Sequence, residues 1–84
     1  MYQVIKRDGQ VVDFNLSKIS AAIGKAFEAQ HKQYTQDILD LLALKVTSHY
    51  EPKIRDGKIA VEDIQDSVEA ILSEAGYADV AKCY

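Results

Sequence analysis

The sequence predicts an α+β fold in which an N-terminal β-hairpin covers a small bundle of about four helices. Residues 2–14, "YQVIKRDGQVVDF", set two short runs of β-formers around Asp8-Gly9. Later segments near Leu16, Ile38 and Val61 repeat apolar residues at helical spacing. A lone hairpin is at best marginally stable, so its apolar face has to lie across those helices.

Asp8-Gly9 between Arg7 and Gln10 is the signal for a two-residue primed turn, whose central residues both take positive φ. Side chains alternate along a strand, so Val4 and Lys6 share one face and Ile5 and Arg7 the other. Only one of the two cations is then expected to point down onto the helices, unless strand twist brings the second one round. Asn15 is the expected N-cap of the first helix, which carries Leu16, Ile19, Ile23 and Phe27 on one stripe. Gly24 inside that helix costs about 1 kcal/mol relative to Ala, which points to close packing there. Thr35 caps a second helix that runs through Ile38, Leu41, Leu42 and Val46 to about Tyr50, where the Pro52 ring ends it. "EPKIRDGKIAV" repeats the Asp-Gly turn chemistry at Asp56-Gly57 and leaves room for a short third strand over Lys58–Ala60. The third helix aligns Val61, Ile64, Val68, Ile71 and Leu72, places Glu62, Asp63 and Asp66 near its start, and reaches a natural cap at Gly76. A last helix begins at "YADVAKCY" and looks cut short. The expected core comprises Ile19, Ile23, Phe27, Leu41, Leu42, Ile64, Val68 and Ile71.

Composition narrows the function. Eighty-four residues make one domain, which buries about two-thirds of its unfolded surface. The single cysteine, Cys83, excludes an intrachain disulfide and a cysteine-based metal site, and it fits a reducing cytoplasm. No apolar run is long enough to span a membrane, and "MYQVIKRDG" has no signal-peptide core, so neither membrane nor export is expected. The net charge is −3. Residues 1–32 carry five basic against three acidic side chains, and the remainder five against ten. An acidic whole argues against direct nucleic-acid binding, which draws its affinity from basic contacts to phosphates.

Catalytic signals are absent. No serine, cysteine or carboxylate stands in a nucleophile or acid-base motif. His49 reads as a partly buried helix-end residue meeting terminal carbonyls, and His31 as a solvated loop residue. Neither GxxxxGK[ST] nor GxGxxG occurs. Two readings of Lys6 and Arg7 stand on composition and spacing. With Lys18, one turn into the first helix, they form an anion site; alternatively they are solvated charges that protect a sheet edge from aggregation, the commoner use of such residues.

The ordered set "VIKRDG", "FNLSKI", "IAVEDIQDSV" and "GYADVA" resembles the ATP-cone, the regulatory nucleotide-binding domain at the amino end of many ribonucleotide reductases. The resemblance covers nearly the whole chain. The wording from Leu41 to Lys82 is most similar to cones of anaerobic, glycyl-radical ribonucleoside-triphosphate reductases. It implies a hairpin roof over four helices, ATP or dATP held between them with or without Mg2+, and an on-off switch that ATP opens and dATP closes. Carried onto this chain, the nucleotide-binding positions are Val4, Lys6, Arg7, Asn15, Lys18, Ile19, Val61, Ile64 and Gln65. Lys6, Arg7 and Lys18 would neutralise phosphates, Val4, Ile19, Val61 and Ile64 would sandwich the adenine, and Gln65 would bond a base or sugar edge. Some cones have Thr and His where this chain has Val61 and Gln65.

The implied partners are the nucleotide, the catalytic domain of a parent reductase lying downstream, and a homo-oligomer. The segment itself is expected to be non-catalytic. Two other functions fit a cone: that of a reductase-gene repressor, which would carry a cysteine-rich zinc ribbon ahead of the hairpin, and a degenerate cone serving only oligomerisation.

Overall fold

The computed structural model describes residues 2–84. Its elements are β1 (Gln3–Ile5), β2 (Val11–Asp13), α1 (Leu16–Ala29), α2 (Gln36–Tyr50), a single 3-10 turn (Glu51–Lys53), β3 (Lys58–Ala60), α3 (Val61–Glu74) and α4 (Ala78–Ala81). The fold is α+β, as expected, and the third strand forms. The strand order is β2-β1-β3, with β1 antiparallel to β2 and parallel to β3.

The hairpin departs from its expected turn. Val4 pairs with Val12 and Ile5 with Val11, the Lys6 amide donates to the Gln10 carbonyl at 2.8 Å, and the Gly9 amide donates to the Lys6 carbonyl at 2.9 Å. Gly9 has φ 88°, while Asp8 is not among the residues with positive φ. This is a three-residue loop, with a tight turn over Arg7 and Asp8 followed by a left-handed glycine. The Asp8 carboxylate accepts from the Gln10 amide at 2.9 Å and fixes the bend. The two-residue primed turn occurs instead at Asp56-Gly57, both at positive φ, where Arg55 and Lys58 exchange two 2.9 Å backbone bonds.

That one-residue difference decides which side chains face the helices. A two-residue turn would have opposed Val4 to Asp13. The observed register lines up Val12, Val4 and Ile59 across the sheet, and Val4 and Ile59 are buried. This apolar row rests on α1 and α3, whose inner faces supply Ile19, Ile23, Phe27, Ile64, Val68 and Leu72 to the same core. Phe14 stacks on Tyr2 with ring centroids 4.5 Å apart, and the edge of Tyr50 meets both rings, so the base of the hairpin is anchored to the end of α2.

The helix ends match their sequence signals. Asn15 accepts from the Ser17 amide at 3.0 Å, and Thr35 accepts from the Ile38 amide at 3.2 Å. After α3 the Tyr77 amide returns to the Leu72 carbonyl and the Gly76 amide to that of Ser73, the paired bonds of a Schellman cap. Gly24 is the close approach that its helical position suggested. A β-carbon there would lie 3.2 Å from Leu39 Cδ1 and 3.5 Å from the Tyr34 hydroxyl, so its absence lets α2 sit down on α1.

Two expectations are corrected. Leu41 is 54% exposed; the buried stripe of α2 is Leu39, Leu42, Ala43, Val46 and Tyr50. Eight of the fifteen residues of α2 are apolar, so spacing alone admits two stripes, and packing against Gly24 selects the one containing Leu39. His49 is exposed and meets a side chain rather than helix-end carbonyls. Its Nδ1 exchanges a 2.8 Å hydrogen bond with the hydroxyl of buried Ser67, which satisfies that group between α2 and α3.

Leu39→Ala is therefore expected to destabilise the domain by about 2–5 kcal/mol, and Leu41→Ala by less than about 0.5 kcal/mol, in urea titrations. The tyrosines add a pH dependence. Burial raises the phenols of Tyr2, Tyr50 and Tyr84, and the hydrogen bond to Glu28 raises that of Tyr34. A raised pKa in the folded state adds stability that is fully present below the unfolded value of about 10 and is lost as pH rises from there through the raised folded value. Melting temperature is expected to hold from neutrality to about pH 9 and then fall, with phenolate absorbance appearing together with unfolding.

Candidate functional site

Parallel pairing of β1 with β3 sets up the site. Ile5 lies opposite Ala60, so Lys6-Arg7 and Val61-Glu62 leave the sheet side by side. Beneath that edge a cleft of about 230 Å³ opens between the hairpin and the helices. Its apolar walls are Val4, Val12 and Phe14 from the hairpin side, Ile19 from α1, and Val61 and Ile64 from α3. Its polar groups are Lys6, Asp13, Asn15 and Lys18. Tyr84 closes one side, and its phenol, raised above the usual tyrosine range by burial, can donate or accept there.

Each polar group is placed by local structure. Lys6 directly follows β1 and lines the cleft with Val4. Asn15 is the N-cap of α1, and Lys18 stands on the first turn of that helix, near its positive end. Among the described residues neither lysine has a carboxylate within ion-pairing distance, so both ammonium groups are free to meet an anion. The first turn of α3 also begins here, after Ala60, with no side chain capping its amides.

Of the nine expected site residues, seven line this cleft: Val4, Lys6, Asn15, Lys18, Ile19, Val61 and Ile64. Arg7 and Gln65 lie outside it, in an adjoining recess shared with Lys6, Asp8 and Val61. Arg7 reaches α3 because it belongs to the three-residue loop and escapes the alternation of the strand. There its Nη2 donates to Gln65 Oε1, and its Nε lies 3.6 Å from Glu62 Oε1. Sequence reasoning missed Val12, Asp13, Phe14 and Tyr84. The correct hairpin register would have found Val12; Phe14 and Tyr84 arrive through tertiary packing alone.

A cleft that joins an apolar slot to two lysines without an ion-pair partner among the described residues suits a ligand with an aromatic base and an anionic tail. Among the described residues no cluster of three or more His, Cys, Asp or Glu could hold a metal, and no helix is long and apolar enough to cross a membrane.

The chain belongs to the ATP-cone family, whose profile, described as an ATP cone domain, matches residues 2–84. It is 36% identical over 89 residues to the ribonucleoside-diphosphate reductase subunit alpha of Chlamydia muridarum, covering 96% of this chain and 8% of that protein. It is 38% identical over 82 residues to the vitamin B12-dependent ribonucleoside-diphosphate reductase of Mycobacterium tuberculosis, covering 98% of this chain and 11% of that protein. The B12-dependent reductase of Thermoplasma acidophilum is 40% identical over 87 residues, with coverage of 98% and 11%. The chain thus spans about a tenth of the length of these relatives. All three are named as diphosphate reductases, and none carries the anaerobic triphosphate-reductase name that the wording of residues 41–82 suggested.

Asn15 serves the fold and lines the cleft. Asn15→Ala is expected to lower stability by about 1 kcal/mol without any ligand, through loss of the α1 cap. Lys18→Ala should leave the ligand-free melting temperature nearly unchanged.

Proposed function

We propose that this domain binds ATP or dATP between the hairpin and the helices, and that it is the effector-sensing part of a longer, cytoplasmic ribonucleotide reductase. The observation that carries the reading is the single cleft in which Val4, Ile19, Val61 and Ile64 face Lys6 and Lys18. The adenine fills the apolar slot, and the phosphates run toward the two lysines and the first turns of α1 and α3, where helix dipoles favour negative charge. Arg7 joins from the adjoining recess. Gln65 offers an amide to an edge of the base or sugar, and Asn15 a second one. A Mg2+ would arrive on the polyphosphate rather than on a protein cage.

Regulation follows from where the ligand sits. A nucleotide spanning β1, α1 and α3 ties the roof to the bundle and sets the surface that a catalytic domain, or a second copy, would meet. ATP and dATP differ by one hydroxyl, so distinguishing them requires that hydroxyl to gain or lose a hydrogen-bond partner in the cleft. The anaerobic glycyl-radical class is proposed for the parent on the wording of residues 41–82. The names of the relatives favour the diphosphate-reducing classes, and the sequence of the parent's catalytic domain decides between them.

Thermal melting with ATP tests the binding. At about 100 times the dissociation constant, ligand adds about 2.7 kcal/mol to stability, which raises the melting temperature of so small a domain by on the order of 10 °C. Removing one phosphate contact is expected to cost roughly 1.5–3 kcal/mol of binding, so Lys6→Ala or Lys18→Ala should lose most of that shift. A double Lys6→Ala, Lys18→Ala variant with the parent's full shift would place the site elsewhere. No shift in the parent would leave a degenerate cone.

A further inference from the structure

We infer that Glu62 moderates the affinity of the cleft: with Gln65 it clasps Arg7 to α3, and it competes with phosphate for that cation. The inference rests on the reading that the cleft takes a polyphosphate. Arg7 sits in the hairpin loop, its Nε 3.6 Å from Glu62 Oε1 and its Nη2 donating to Gln65 Oε1. The recess holding these groups shares Lys6 and Val61 with the cleft. Phosphates drawn to Lys6 therefore come within reach of a guanidinium that already has a carboxylate partner, whereas Lys6 and Lys18 have none among the described residues.

To serve the ligand, Arg7 has to leave Glu62 or share it. The two side chains are 67% and 55% exposed, so water can replace either partner and the exchange is mild. The clasp also ties the turn of the roof to α3. Filling the cleft transfers that tie from Glu62 to the phosphates. Asp63 supplies the control: it carries the same charge in the same first turn of α3 but forms no ion pair with Arg7 among the described residues.

Calorimetric titration of ATP into the parent chain, Glu62→Gln and Asp63→Asn at low and high salt tests this. Glu62→Gln is expected to tighten ATP binding by about two- to fivefold, the scale of an exposed ion pair, with the gain shrinking as salt rises. Asp63→Asn is expected to give a clearly smaller gain. ATP binding by the parent with no gain in Glu62→Gln, or with equal gains in both variants, overturns the clasp alone. A parent chain that takes up no ATP overturns the nucleotide reading and the clasp with it.

Discussion

The parallel pairing of β1 with β3 is the constraint on which the rest of the structure depends. Each strand has only three residues, and the hairpin has no independent stability. β3 runs straight into α3, so pairing Ile5 with Ala60 delivers the loop that carries Lys6 and Arg7 to the start of that helix. Without β3, the basic loop would be held over the bundle only by the exposed contacts of Arg7 with Glu62 and Gln65. With β3 present, the ends of two parallel strands and the start of a helix converge, an arrangement at which open α/β sheets also place their ligands.

The roof has to be held on without being fused to the core. Its hold is the apolar row Val12, Val4 and Ile59, together with the Tyr2, Phe14 and Tyr50 rings at its base. The loop end has a looser hold, through exposed Arg7, Glu62 and Gln65. Local stability follows buried contacts, so the base of the hairpin is the firm end and the basic loop the yielding one. A ligand that bridges Lys6 and Lys18 strengthens the end where the fold is weakest. On the proposed function, occupancy of the cleft would in this way alter the surface shown to a neighbouring domain.

Much of this was legible in the sequence because it is local. Asn15 and Thr35 cap helices where their side chains predict it, Gly24 marks a close approach, and the stripes of α1 and α3 face inward. The cleft was legible through the ordered motifs, which named seven residues that the fold brings together. What failed was decided by partners far along the chain. Asp-Gly serves both a two-residue and a three-residue hairpin loop, and it was the apolar row completed by Ile59 that chose between them at residues 8 and 9. Leu39 won over Leu41 because α2 descends onto Gly24. Arg7 met α3 because its loop has one residue more than the turn signal implied, and Phe14 and Tyr84 reached the cleft through packing that no spacing rule encodes.

The central claim is that nucleotide sits where β1, α1 and α3 meet. Amide chemical-shift mapping during an ATP titration tests it most directly, because every one of these segments carries its own reporters. The account predicts that the largest changes fall together on residues 4–7, 15–19 and 61–65, with the outer face of α2 around Leu41 and Leu44 unmoved. Changes centred instead on the groove between α1 and α2 around Ser20, Gln36 and Asp40, with the hairpin silent, would contradict it.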